Sequence, residues 1–295
     1  MLSKAFKRIK SFKAHDIGTI THMKQVEGTS LLVTVAEDMT NEPVLKVWAL
    51  DKLEKKTGMP RCQSTITIQN NRKQFPITAF AAVKDLSQLA VGFANGAVTV
   101  VRGDLIHDRG TKQRTVFESE EPVMGIQFRE GSTTALYIAT TGRILTLVIS
   151  GKGQGQPART LDEKGCDINC MTIDKATRDV IVARDDAIYY YGLHGRTALY
   201  NCDGQKRVVA TYKDYVAFVA PSSTLSIAKS TLATGSTDSV RSHTLLVLNA
   251  DFHIIALQEN FSHEISRMFV EWGDLFILTT EGKVSSPSTS LLSLY

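Results

Sequence analysis

The segment of this 295-residue chain closest to a phosphate-binding loop is Gly151-Lys152-Gly153-Gln154-Gly155. Such a loop follows a strand, closes on Gly-Lys-Ser/Thr and opens a helix whose first N–H groups meet the anion. Here no helical pattern follows, Pro157 comes soon after, and the closing motif is missing. The segment therefore reads as a loop between strands. Cys166 and Cys170 are spaced Cys-x-x-x-Cys with no second ligand pair nearby, whereas zinc takes four ligands in a closed structural site. With Cys62 and Cys202 they are four scattered cysteines in a large domain, expected to be reduced thiols. Asp185 and Asp186 suit a hairpin turn better than a metal pair, because Asp tolerates left-handed turn geometry. The seven histidines lie apart, and none falls in a Gly-x-Ser-x-Gly type of nucleophile motif. His15 or His22 fits a structural role. Tyr189, Tyr190 and Tyr191 alternate on one strand, and packing accounts for them. No catalytic residue, no cofactor-binding residue and no metal ligand is assigned, and the chain is not expected to be an enzyme. The rival is an enzyme, but no acid, base or metal constellation emerges.

The elements that would have to position any such group repeat along the chain. The unit is a short apolar strand, a tight turn and a second apolar strand. It recurs around Asn95-Gly96, Thr141-Gly142, Asp185-Asp186 and Glu281-Gly282. The residues that resume the apolar pattern after these turns are Val98, Ile144, Ile188 and Val284. The first three lie 46 and 44 residues apart, and the last is 96 further on, twice 48. A period in the forties with two-residue hairpin turns matches a four-stranded propeller blade. Further apolar strands are expected at 20–26, 77–83, 123–128, 170–173, 208–212 and 265–272, each nearest the axis of its blade. More polar outer strands are expected at 62–68 and 158–161. The segments 31–35 and 44–48 flank a polar loop with Asn41-Glu42-Pro43. The fold class expected is all-β, a WD40-like β-propeller of about six to seven blades with the first blade incomplete. A sandwich would not hold this period through six units, and a β-helix would repeat over far fewer residues. Residues 1–284 form the propeller, with a disordered Ser/Thr-rich insertion at about 221–243 and a disordered tail at 285–295.

Composition excludes some classes. Hydrophobic residues are 43% and charged residues 22% of the chain, with a net charge of +4. That is mildly basic and short of a clustered nucleic-acid signal. No run approaches the roughly 18 apolar residues of a membrane helix. Residues 1–13 carry Lys4, Lys7, Arg8, Lys10 and Lys13 with no acid. Wound as a helix, they would resemble a presequence or a membrane-surface helix. As a strand, they would point their basic residues to solvent.

Three segments go beyond pattern. They are Ala36-Glu37-Asp38 leading into Glu42-Pro43-Val44-Leu45-Lys46-Val47-Trp48, the run from Leu89 through Gly92, Asn95 and Gly96 to Arg109, and Glu271-Trp272-Gly273-Asp274 running on to Gly282. Together they resemble the N-terminal propeller of the vacuolar protein sorting-associated protein 11 family, fungal members above all. Trp48 lies in a strand similar to that of WD-type repeats. The resemblance runs from about Lys4 to Val284 and favours a strand at the N-terminus. It implies a non-catalytic scaffold of a vesicle-tethering complex in endosome-to-vacuole transport and membrane fusion. The implied partners are other HOPS and CORVET subunits, with no nucleic acid and no small-molecule substrate. The implied location is cytoplasmic, peripheral on late endosome or vacuole, with membrane association indirect. Relative to the family, the chain is expected to be truncated at both ends, without solenoid or RING. The alternatives are a non-functional or isoform fragment of such a subunit, or a propeller scaffold of another trafficking complex.

Overall fold

The structure, a computed structural model, describes residues 11–70, 74–129, 135–149, 157–174, 177–192, 195–212, 214–221, 243–249, 254–261, 263–271, 274–282 and 284–285. These residues form strands joined by turns. The first sheet holds β1 (Thr19–Gln25), β2 (Leu31–Glu37), β3 (Val44–Leu53) and β4 (Pro60–Thr67). The second holds β5 (Ile77–Ala82), β6 (Gln88–Phe93), β7 (Val98–Asp104) and β8 (Arg109–Phe117). The third takes β9 (Val123–Arg129), β10 (Ala135–Thr140), β11 (Ile144–Val148) and β12 (Arg159–Asp162). The fourth takes β13 (Met171–Ile173), β14 (Val180–Ala183), β15 (Ala187–Gly192) and β16 (Gly195–Asn201). The fifth takes β17 (Val209–Tyr212), β18 (Tyr215–Pro221), β19 (His243–Asn249) and β20 (Ile254–Phe261). The sixth has three strands, β21 (Ile265–Glu271), β22 (Asp274–Thr279) and β23 (Val284–Ser285). Six antiparallel meanders in chain order are the WD40-like propeller class that the period predicts. The third strands of the second and third sheets begin at Val98 and Ile144, as expected.

The insertion expected at 221–243 meets the structure only at its edges. Pro221 ends β18, His243 begins β19, and the two are register partners. Residues 222–242 lie outside the described residues, as do residues 1–10, the Gly151–Gly155 loop and the tail beyond Ser285.

The described chain divides into two compact units. One comprises Lys7–Thr141 with Leu145–Arg159, and the other is mainly Thr160–Tyr295. In the first unit, β6 is buried at five of its six positions, because apolar neighbours cover both faces. That coverage explains a continuous apolar run rather than alternation. The edge strand β4 instead alternates buried Ser64 and Ile66 with exposed Thr65 and Thr67. Two apolar cores result, one around Val35, Leu45, Leu89 and Phe93 and one around Ala90, Val98, Val123 and Ile138. Gly92 makes the second core possible. A Cβ there would stand 2.4 Å from Val123 Cγ1 and 2.8 Å from Ile126 Cδ1. The second unit has its own core around Val219, Leu245, Val247 and Ile277.

The WD-type strand is pinned by a polar triad in the first unit. Trp48 Nε1–H donates to Thr34 Oγ1 at 3.0 Å, and His15 Nε2 lies 2.8 Å from the same hydroxyl. All three residues are buried. Burial, with the Lys46 charge, pushes the His15 pKa down, so the ring is neutral. His15 is thus the structural histidine. His22 is half-buried, with its ring 6.3 Å from that of Phe80.

Gly96 and Gly110 separate two costs of replacing a turn glycine. Both have positive φ, +82° and +62°. A Cβ at Gly96 would meet the Ser119 carbonyl at 2.2 Å, whereas one at Gly110 meets nothing within 4 Å. Gly110→Ala should cost about 1–2 kcal/mol, the left-handed penalty alone, and Gly96→Ala about 2–4 kcal/mol because crowding adds to it. Equal denaturant midpoints for the two variants would contradict this placement.

Candidate interaction surface

Side chains able to do chemistry gather at the ends of the sheets, where strands give way to turns. At one end of the first unit, Glu37 at the close of β2 ties three segments together. Its carboxylate accepts the Ile77 N–H at 2.7 Å and a short hydrogen bond from Thr21 Oγ1. Gln74 Nε2 donates to Thr40 O at 2.7 Å, binding the β4–β5 loop to the β2–β3 loop. The Asp38 carboxylate accepts from the backbone N–H of Thr40 and Asn41 at 2.7 and 2.6 Å and from Asn41 Nδ2 at 2.7 Å. These bonds, that from Asn41 Nδ2 foremost, pull its pKa down to about 2. The loops at this end are therefore held rather than loose.

The second unit carries a charged cluster that the sequence reading missed. Three donors converge on Asp162 Oδ2: Arg184 Nη1 at 2.7 Å, Arg196 Nη1 at 2.7 Å and Tyr191 Oη at 2.9 Å. Arg184 also reaches Asp186 Oδ2 at 3.2 Å, and Tyr189 Oη donates to that atom at 2.8 Å. Both guanidinium groups lie over the Tyr189 ring, at 4.7 and 4.9 Å. The Arg184 side chain is 3% exposed and that of Asp162 is 9%. Burial alone would raise the Asp162 pKa. Hydrogen bonds from Arg196 and Tyr191, with the two arginine charges, outweigh it and hold the carboxyl below its usual range. The one hint in sequence was the run Arg184-Asp185-Asp186, but Asp162 belongs to another sheet. Buried Lys206 was missed as well. Its Nζ donates to Asp185 O at 2.9 Å and, at short range, to Cys202 O.

The described residues singled out in the sequence have definite places. Asp185 and Asp186 form the β14–β15 turn, as expected, but neither adopts positive φ, so the left-handed rationale is wrong. Their job is polar: Asp186 binds Arg184 and Tyr189, and the Asp185 carbonyl caps Lys206. Tyr189 and Tyr191 are buried, while Tyr190 on the opposite face is half-buried. Cys166 and Cys170 are both buried. Burial raises both thiols, that of Cys170 to about 12, and Cys170 Sγ donates to Lys206 O at 3.1 Å. Among the described residues, no three His, Cys, Asp or Glu side chains converge as a metal site would require.

With this geometry in hand, comparison with known proteins is informative. The family model for the PEP5/VPS11 N-terminal region matches residues 1–286. The chain belongs to this family. Among curated relatives, the vacuolar protein sorting-associated protein 11 homolog of Mus musculus is 28% identical over 281 residues. The homologs of Homo sapiens and Arabidopsis thaliana are 27% and 26% identical. The alignment to the mouse protein covers 94% of this chain and 29% of that protein, so the chain spans under a third of the length of these relatives. Among solved structures, the crystal structure of Saccharomyces cerevisiae Sqt1 is similar, with a TM-score of 0.57 at 12% identity. That likeness covers 93% of this chain and 83% of Sqt1 and concerns the fold alone. Within the PEP5/VPS11 N-terminal region, then, the Asp162 cluster and the Glu37 tie are packing devices that hold the sheet ends in place.

Two outcomes follow for this region. Iodoacetamide should modify half-buried Cys62 in the folded chain, and Cys166 and Cys170 only after unfolding; equal labelling of all three in the native state would contradict their burial. Asp162→Asn removes the carboxylate shared by Arg184 and Arg196 and leaves buried Arg184 with Asp186 alone, so it should cost about 1–3 kcal/mol. The folded pKa of Asp162 is depressed, so its stabilisation is complete above the ordinary value of 3.8 and is lost as pH falls through the folded value. Asp162→Asn should flatten the acid limb of a stability–pH curve, and an unchanged limb would show that the cluster is not coupled to folding.

Proposed function

We propose that this chain is a non-catalytic protein-interaction module in vacuolar protein sorting, acting within a HOPS- or CORVET-type vesicle-tethering complex at late endosome or vacuole membranes. The observation that carries the reading is the family match over nearly the whole chain, joined to a fold of antiparallel sheets linked by turns. Rigid sheets with variable turns suit the display of binding loops. The Asp162 cluster supports a structural role. Asp162 and Asp186 balance the charges of Arg184 and Arg196, and the Asp162 carboxylate is engaged by Arg184, Arg196 and Tyr191 rather than held ready for proton transfer. The reading makes residues 1–284 one propeller, interrupted at about 221–243, with 285–295 as a tail.

The test is co-isolation. The tagged chain, expressed in a cell that makes the remaining subunits of the tethering complex, should recover those subunits in near-equal amounts, read by quantitative mass spectrometry. Recovery no greater than from an unrelated propeller carrying the same tag would refute the proposal.

A further inference from the structure

The β3–β4 hairpin of the first unit runs past the sheet that supports it. Strand β2 pairs with β3 only as far as Leu31↔Ala49, with one more backbone bond from Leu50 N–H to Ser30 O. Beyond that point β3 bulges, since after Ala49↔Arg61 its next pair with β4 joins Leu53 to buried Pro60, and residues 50–52 have no partner in that ladder. Every residue from 51 to 59 is exposed. The overhang is nonetheless ordered by its own bonds. Glu54 N–H donates to Met59 O at 2.9 Å, Gly58 N–H to Glu54 O at 2.9 Å, and Thr57 Oγ1 to Glu54 Oε2 at 3.0 Å.

The overhang is chemically two-sided. Leu53 and Met59 flank the turn and stand 49% and 41% exposed. Lys52, Lys55, Lys56 and Arg61 surround them, all exposed. The two acids of the segment are engaged locally, Asp51 by a hydrogen bond from Ser30 and Glu54 by Thr57. The equivalent turn of the next sheet, between β7 and β8, is built the other way. Its Leu105 is fully buried, and Ile106 packs on the first core. Exposure of Leu53 and Met59 thus sets this hairpin apart from the β7–β8 hairpin, although Ile20 and Met23 of β1 and Met39 of the β2–β3 loop are exposed as well.

From this we infer that the β3–β4 hairpin docks on an anionic lipid surface, with Leu53 and Met59 entering the headgroup–acyl boundary and the lysines and Arg61 meeting acidic headgroups. Apolar residues ringed by basic ones on an exposed tip are the pattern of interfacial membrane binding. A tip suits a flat surface, whereas an acidic peptide would be gripped better by a groove. The contact goes beyond the role of an interaction module, since it joins this chain to the bilayer directly and needs no other subunit.

Vesicle co-sedimentation of the intact chain tests the inference. Vesicles of phosphatidylcholine with phosphatidylserine should retain the chain, and vesicles of phosphatidylcholine alone should not. Raising salt should release it. Leu53→Ser with Met59→Ser, and separately Lys55→Glu with Lys56→Glu, should each weaken retention about tenfold or more. Because all four residues are exposed on an overhang, neither pair should shift the melting temperature. Lys112→Glu, on β8, is the control and should bind as the parent does. Three results would overturn the inference: no retention of the parent chain on acidic vesicles, retention unchanged in both double variants, or binding to poly-glutamate without binding to vesicles, which would point to an acidic protein partner instead.

Discussion

A strand covered on both faces must satisfy every polar side chain inside the protein, and this constraint organises the first and second units alike. β6 and β14 are buried at nearly every position. Several buried polar groups beside such strands are paired, Thr34 with Trp48 and His15 and Thr99 with Gln69 O at 3.1 Å, whereas Gln88 Oε1 on β6 and Asn70 Oδ1 are buried without a hydrogen-bond partner among the described residues. An unpaired buried group costs about 1–3 kcal/mol, a large share of a domain's net stability. Polar variety is consequently pushed to the sheet ends, where water can solvate it. The same pressure makes the turns the part of the molecule free to acquire binding roles.

The second unit shows what happens when charge is admitted to the interior. Arg184 is buried, and its carboxylate partners come from β12 and from the β14–β15 turn. Lys206 is buried too, but its ammonium is spent on two backbone carbonyls. In both cases the cation closes a turn. Such pairs contribute little net stability over an apolar packing of equal volume, but breaking one side is costly. They therefore act mainly to define which geometry the turn adopts. Cys166 and Cys170 belong to the same neighbourhood as protonated, packed thiols.

The hairpin overhang arises from a mismatch in strand length. β3 has ten residues and β2 has seven. The excess cannot be covered by its own sheet, so its apolar residues face water. In the second sheet the corresponding Leu105 is buried because it packs in the first apolar core with Leu45 and Ile66. Whether the apolar residues of a turn pack in a core, as Leu105 does and Leu53 does not, thus decides which turns offer apolar surface to something outside the chain.

Much of the fold was legible in the residues alone. The spacing of Val98, Ile144, Ile188 and Val284 reports the blade period because each must resume an apolar strand after a tight turn, and hairpin geometry is local. The first strands of the six sheets were legible for the same reason, but the apolar, covered character expected of 20–26 was not met, since β1 is exposed at all positions but His22. Glycine roles were half legible: Asn95-Gly96 announces a turn, but only packing shows that Gly96 lies under the Ser119 carbonyl and Gly92 against Val123. The choice between His15 and His22 was open in sequence and was decided by Thr34, which lies 19 residues from His15. Asp162 and Arg184 gave no sign of each other, because ion pairs between sheets obey no fixed spacing. The overhang was likewise invisible, since it depends on where β2 stops relative to β3. Periodicity, a property of neighbours along the chain, is thus written in the sequence by itself. Which charges meet, which thiols are sealed in and which turn stands clear of its sheet are properties of neighbours in space, and only the tertiary structure decided them.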